Sequence, residues 1–224
     1  MMDSYVHEIL PFRSKKEKLG KYLTSKETVR FGRILEDIDA LAGMISITHA
    51  FTPSIKDKLQ VVTASVDRID LLKELSAQND LKLSGFVSYV GNSSMEVSIS
   101  IEGIPENLSG NQDIQAPNAK GLDLIAKAKF VMVALNRETM KPIPVPKLSL
   151  DTKKETDIYQ EGALHKARKQ VQQDVSLLKK PPNVDEMKAI HRIYLESKKE
   201  KNYIGMKNTE QSTLILTHPQ GMTY

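Results

Sequence analysis

The clearest hydrophobic pattern in the chain lies between residues 28 and 48. Apolar side chains recur there every three or four positions, which is the period of a helix with a wide apolar stripe: Ile34, Leu35, Ile38, Leu41, Ala42 and Ile45. The segment Thr28–Gly43 is therefore predicted to form one buried helix. Asp39 lies at the edge of the stripe, where a carboxylate must lose water or find hydrogen-bond donors. Asp39 is thus a candidate catalytic group, with a satisfied structural acid as the alternative.

A second pattern, strict alternation, predicts a sheet. The strand predicted over residues 95–101 has a dry face (Met95, Val97, Ile99, Ile101), and the residues between and after them (Glu96, Ser98, Ser100, Glu102) form a wet face. The Gly- and Asn-containing turn at 91–94 joins it to a predicted strand over 81–90. The stretches 59–66 and 67–72 form a mixed apolar run compatible with a strand, and the nearly continuous apolar run at 129–135 predicts a central strand. About five antiparallel strands and one helix make the predicted fold class α+β.

The rest of the chain reads as a loop and a helical part. Residues 105–121 are rich in Pro, Gly, Asn and Ser and predict an exposed loop. Apolar spacing predicts a helix over 155–179, and Asn183 followed by Glu186 resembles a capping box that opens a second helix. A lone strand predicted at 212–217 needs a sheet to join. The expected organisation is a first domain over 1–150, a helical linker over 151–208, and the start of a truncated second domain over 209–224.

Composition narrows the function classes. The net charge is +4, and the basic excess lies in residues 151–208, which is typical of a solvated helical surface or of attraction for a phosphate-bearing ligand. No nucleic-acid reader motif and no apolar run long enough to span a membrane occurs in the sequence. With no cysteine and only five scattered histidines, disulfides and a cysteine nucleophile are excluded, and no metal site is expected.

Several blocks of the sequence resemble the double-hotdog acyl-coenzyme A (acyl-CoA) thioesterases: DSYVHEILPF, KYLTSKETVRFGRILEDIDALAG, VVTASVDRIDLLK, LKLSGFVSYVGNSSMEV, AKFVMVALNRE and LILTHPQ. The resemblance implies a hotdog fold, in which an antiparallel sheet wraps around one long helix. It further implies tandem hotdogs with active sites between them, and LILTHPQ would open the second hotdog. Acyl-CoA is then the expected substrate, with coenzyme A as part of that substrate and no separate cofactor. A mitochondrial location is expected by the same resemblance, with the cytoplasm as the alternative.

The resemblance also assigns residues. The general hotdog thioesterase motif GGxLMxxxDxxA aligns with FGRILEDIDALA, so that Gly32 takes the second glycine and Asp39 the catalytic acid. Phe31 replaces the first glycine. The motif also has a catalytic Asn eight positions before the second glycine, where this chain has Thr24; in the tandem proteins that Asn can come from the other half. Arg33, like Arg30, is a candidate either for binding coenzyme A phosphates or for a surface ion pair, whereas Glu36 and Asp37 are expected to be solvated.

Two functions follow from these expectations. The first is an acyl-CoA thioesterase that hydrolyses fatty acyl-CoA to free fatty acid and coenzyme A, with Asp39 as the catalytic residue and backbone N–H groups near Gly32 at the oxyanion. The second is a catalytically inactive hotdog fragment that binds acyl-CoA or pairs with another hotdog chain. In both cases a second hotdog domain is the expected partner, by homo-oligomerisation or by pairing, because an isolated hotdog leaves a sheet edge uncovered.

Overall fold

The computed structural model describes residues 1–108, 110–117, 119–176, 178–198 and 208–213. The chain forms two compact units, Met1–Ala167 and Arg168–Tyr224. Most of the strand predicted at 212–217 and the whole LILTHPQ block lie outside the described residues. The predicted division at 150 and 208, with a second hotdog beginning at 209, therefore stays a prediction.

The first unit is built on one antiparallel sheet of five strands: β1 (Val6–Leu10), β2 (Leu59–Leu71), β3 (Asp80–Val90), β4 (Ser94–Ile104) and β5 (Asp123–Asn136). Their order in the sheet is β1-β3-β4-β5-β2. A short helix, α1 (Lys16–Leu19), precedes the long helix α2 (Phe31–Ala50), which packs against the sheet. The predicted α+β class and the expected sheet wrapped around one long helix are confirmed.

The core lies between α2 and the inner face of the sheet. The helix contributes the predicted stripe, since Ile34, Ile38 and Ile45 are 0% exposed. Strand β4 contributes the predicted dry face, because Val97 and Ile99 are also 0% exposed. Each such side chain stabilises the fold by about 1.5–3 kcal/mol through burial. The apolar stripe of α2 and the apolar face of β4 thus form one core.

Some element boundaries differ from the prediction. The two runs at 59–66 and 67–72 form one strand, β2, which carries irregularities between Thr63 and Ser65 and between Val66 and Arg68. Strand β5 begins at Asp123, ahead of the predicted position 129. The irregularities in β2 and the earlier start of β5 depend on the pairing between these two strands. The periodicity within one segment carries no information about that pairing.

The expectation of a wet outer face on β4 is wrong at Glu96, which is only 7% exposed. The cover comes from helix α3 (Lys153–Asp174), whose residues Glu161 to Lys166 contact this side of the sheet. A reciprocal cap starts α3: the Thr152 N–H donates to Glu155 Oε2 at 3.1 Å, and the Glu155 N–H donates to Thr152 Oγ1 at 3.2 Å. The helix ends at Asp174 and is shorter than the predicted 155–179.

The second unit contains helix α4 (Val184–Ser197), which follows Pro181-Pro182. Its predicted capping box is confirmed, because the Glu186 N–H donates to Asn183 Oδ1 at 2.9 Å and the Asn183 N–H donates to Glu186 Oε2 at 2.7 Å. Among the helices of the described residues, none is both long enough and apolar enough to cross a membrane.

Candidate active site

Asp39 lies in the N-terminal half of α2 and is exposed. Its carboxylate accepts a 2.8 Å hydrogen bond from the Thr63 hydroxyl on β2. The sequence predicted that this acid loses water or finds a donor. The structure gives it a donor and leaves it open to water, so the second of these two alternatives applies.

An apolar groove of about 490 Å³ runs beside Asp39. It lies where the first turns of α2 face strands β2 and β5, and apolar side chains make most of its surface. Asp39 therefore stands beside a cleft that suits a hydrocarbon chain, with its carboxylate near the groove wall. The lining residues are Gly32, Leu35, Glu36, Asp39, Val66, Ile69 and Phe130.

At Gly32, the backbone of α2 lines the same groove. A Cβ at Gly32 would meet nothing within 4 Å, so the helix start is open on this side. No side chain caps the first turn of α2, because the N-cap residue Arg30 makes no such hydrogen bond. Uncapped N–H groups at a helix start carry partial positive charge and attract an anion. The arrangement suits a developing oxyanion, and this role for Gly32 stays a prediction.

The other motif positions have structural partners. Arg33 forms an ion pair with Glu36, one turn along the helix, and its binding of coenzyme A phosphates stays a prediction. The Thr24 hydroxyl accepts hydrogen bonds from the N–H groups of Lys26 at 3.2 Å and Thr28 at 3.3 Å. Thr24 thereby shapes the loop that leads into α2.

The expectation that Asp37 is solvated holds only in part. Its carboxyl is partly buried on α2, and its Oδ2 has no hydrogen-bond partner. Burial raises the pKa of Asp37, while a hydrogen bond from Tyr22 opposes that shift. Burial, together with the hydrogen bond to Asp37, also raises the pKa of Tyr22. Asp37 is absent from the groove lining, so the two acids of α2 have different surroundings.

This burial makes a prediction about stability. A carboxyl whose pKa is higher in the folded state costs stability once it ionises, so the cost grows as the pH rises from the unfolded pKa through the folded pKa. Asp37→Asn removes that cost, and we expect it to raise the free energy of unfolding at pH 7 by less than about 1 kcal/mol, because the group is partly solvated. Urea titrations at pH 7 and pH 3 measure it. A gain that is equal at both pH values would contradict the assignment.

Thr63 is the site residue that the sequence did not reveal. It stands in the block VVTASV, whose pattern indicates a strand and nothing about a neighbour on a helix. The contact joins residues 24 positions apart, and only the packing of α2 on β2 brings them together. The available signal would have been a polar residue on the face of the strand that is turned toward the helix. Within the described ranges, no group of three or more His, Asp and Glu side chains is placed to hold a metal ion.

The chain is similar in sequence to known thioesterases. Residues 28–107 match the thioesterase superfamily. The chain is 38% identical, over 98% of its length, to mitochondrial acyl-coenzyme A thioesterase 9 of Bos taurus, and it spans about half (50%) of that relative.

Two solved structures share the fold. The acyl-CoA hydrolase of Staphylococcus aureus, solved in complex with butyryl coenzyme A and coenzyme A, has a TM-score of 0.59 at 24% identity, covering 87% of this chain and 97% of the hydrolase. An apo hexameric acyl-CoA thioesterase has a TM-score of 0.56 at 24% identity, covering 78% of this chain and 96% of that chain. A sheet that wraps around one helix and a segment that matches the superfamily model lead to one conclusion: the chain has the hotdog fold, and its residues 28–107 belong to the thioesterase superfamily.

Proposed function

We propose that this chain is one hotdog of an acyl-CoA thioesterase, and that the carboxylate of Asp39 is its catalytic group. The observation that carries the proposal is the position of Asp39: an exposed carboxylate, held by Thr63, at the wall of an apolar groove. A thioesterase needs this combination, because the acyl chain requires an apolar surface and the attacking water requires an accessible base.

The chemistry assigns a role to each group. Asp39 takes a proton from water as that water attacks the thioester carbon, or attacks the carbon itself to give an anhydride that water then hydrolyses. The Thr63 hydroxyl occupies Oδ1 and so leaves Oδ2 to face the reacting atom. Uncapped N–H groups near Gly32 stabilise the oxyanion. In both routes the tetrahedral oxyanion collapses by breaking the carbon–sulfur bond, and the thiolate that leaves, whose thiol has a pKa of about 8.5 if it resembles cysteine, needs no strong general acid.

The proposal includes the surroundings of the site. The acyl chain lies along Leu35, Val66, Ile69 and Phe130, and coenzyme A is present as part of the substrate, with no further cofactor. A second hotdog, from another copy or another chain, completes the site by supplying the Asn that the motif calls for and that is replaced here by Thr24. The similarity to mitochondrial thioesterase 9 of Bos taurus supports a mitochondrial location.

Thr24 favours a second candidate, a hotdog that binds acyl-CoA without hydrolysing it. The Thr24 hydroxyl is engaged within its own loop, where it shares a 2.7 Å hydrogen bond with the Thr28 hydroxyl. Threonine also has no side-chain amide, so Thr24 cannot offer a thioester carbonyl what the Asn of the motif would offer. Under this candidate, Thr24→Asn restores hydrolysis.

Three measurements on one sample separate the two candidate functions. The chain has no cysteine, so a thiol reagent reports only the coenzyme A released from butyryl- or palmitoyl-CoA. Gel filtration of the same sample gives the oligomeric state, and calorimetry with coenzyme A gives binding. Hydrolysis supports the enzyme. Binding without hydrolysis, with a gain in Thr24→Asn, supports the inactive fragment, and the absence of both activity and binding rejects both.

Thr63→Val tests how Asp39 is oriented. The substitution keeps the shape of the side chain and removes the donated hydrogen bond, so we expect kcat to fall about tenfold while KM changes little. Thr63→Ser, which keeps the hydroxyl, is the matched control and should stay near the parent rate. Equal losses in both variants would point to packing of the Thr63 methyl group instead.

A further inference from the structure

The outer face of the sheet holds a buried carboxylate that the site chemistry does not use. Glu96 on β4 is 7% exposed, and an unpaired carboxylate in such a place would be strongly destabilising. Its partners come from three elements. The Ser88 hydroxyl on β3 donates at 2.8 Å, Lys129 Nζ on β5 lies 3.4 Å away, and His165 Nδ1 on α3 lies 3.4 Å away.

Helix α3 adds a second carboxylate to this group. Lys129 Nζ lies 3.2 Å from Glu161 and 3.1 Å from His165 Nδ1, so one ammonium joins an acid of the sheet to an acid of the helix. The hydrogen bond from Lys129 is the main cause of a lowered pKa at Glu161. We call Glu96, Lys129, Glu161 and His165 the outer-face cluster. Without Lys129, its two carboxylates would repel each other.

Backbone contact holds the same helix independently of charge. A Cβ at Gly162 would lie 2.5 Å from Tyr89 Cβ and 3.4 Å from Glu96 Oε1, so α3 lies on β3 at a distance that only glycine permits. The Tyr159 ring packs on the Tyr89 ring with centroids 4.9 Å apart, and Lys166 Nζ stands 5.7 Å from the Tyr89 ring centroid.

The outer-face cluster lies directly behind the groove. Lys129 and Phe130 are consecutive on β5, so alternation places Lys129 on the outer face and Phe130 on the inner face, where it lines the groove. On β4 the same alternation separates Glu96 from Val97, which pairs with Phe130. Whatever restrains Lys129 and Glu96 on one side therefore restrains the groove wall on the other.

We propose that helix α3 is a strap: its docking through Lys129 and Gly162 restrains strand β5 and, with it, the place of Phe130 in the groove. Lys129 is then a positioning residue for the groove, acting through β5. The inference concerns the helix and the strand and is independent of what the groove binds.

Hydrogen–deuterium exchange on the full chain tests the strap. Lys129→Met removes the ammonium, and Gly162→Ala raises helix propensity while its methyl group blocks docking. We expect both variants to exchange α3 amides over 153–167 at least about tenfold faster, and β5 amides around Phe130 measurably faster. Lys129→Arg, which keeps the charge, and Gln160→Ala, an exposed change on α3, should match the parent.

The outcomes are decisive in either direction. Unchanged α3 exchange in both variants overturns the docking role, and faster α3 exchange with unchanged β5 exchange overturns the coupling to the groove. Peptides from α2 report any global unfolding. If Lys129→Met unfolds the chain, Glu161→Gln takes its place, because Glu161 is 60% exposed and its loss leaves Glu96 paired.

Discussion

The Asp39→Asn variant is expected to hydrolyse acyl-CoA with a kcat at least about a hundredfold below that of the parent protein, with KM nearly unchanged. Asn keeps the size of the side chain and can still accept the hydrogen bond that Thr63 donates at 2.8 Å. What it lacks is the basic oxygen that takes a proton from water or attacks the thioester. The loss should therefore fall on the chemical step, and steady-state release of coenzyme A at several substrate concentrations measures it.

Asp37→Asn is the matched control for this experiment. It makes the same chemical change on the same helix, two positions away, at an acid that does not line the groove. We expect its kcat to stay within about threefold of the parent value. Retained hydrolysis in Asp39→Asn, or an equal loss in Asp37→Asn, would remove Asp39 from the catalytic role. A loss confined to KM would assign Asp39 to substrate binding.

The inner half of this fold could be predicted because its signals are local. The spacing of Ile34, Ile38 and Ile45 defines the buried side of α2 within a few turns, and the alternation of Val97 and Ile99 defines the inner face of β4. Both patterns depend only on backbone geometry, and both groups are fully buried in one core. Local pattern therefore specifies which faces are apolar.

The outer half could not be predicted in the same way. Alternation assigns Glu96 correctly to the face opposite the core, but whether that face meets water depends on an element about 60 residues later in the chain. Helix α3 covers it, and only a long-range contact, such as that of His165 with Glu96, reveals the cover. Strand β1 was also missed, because its five residues, VHEIL, are too few to show a clear period.

The candidate site was predictable in part. Asp39 stands out through its position at the edge of an apolar stripe, and the resemblance to a known motif points to the same residue. Thr63 and Asp37 show what is lost without tertiary information. Thr63 becomes a site residue only because its strand packs beside α2. Asp37 is partly buried near Tyr22, which lies in the segment before the helix.

A second large effect is expected at Gly85, on the inner face of β3. A Cβ there would lie 2.6 Å from the backbone oxygen of Ser98 and 2.9 Å from Cδ1 of Ile45. A flexible side chain can move aside, whereas a paired neighbouring strand cannot move without loss of its hydrogen bonds. We therefore expect Gly85→Ala to lower the free energy of unfolding by about 3 kcal/mol, near the upper end for overpacking a core.

Gly43→Ala, on α2, isolates the cause. A Cβ at Gly43 would meet nothing within 4 Å, and both substitutions restrict the unfolded chain to the same extent. Gly43→Ala should raise stability by about 0.5–1 kcal/mol through helix propensity, whereas Gly85→Ala lowers it. For a chain of this size the midpoint of thermal unfolding should fall by roughly 6–12 °C in Gly85→Ala and rise slightly in Gly43→Ala. If both variants were stabilised, α2 could not be packed against β3 as closely as the structure has it.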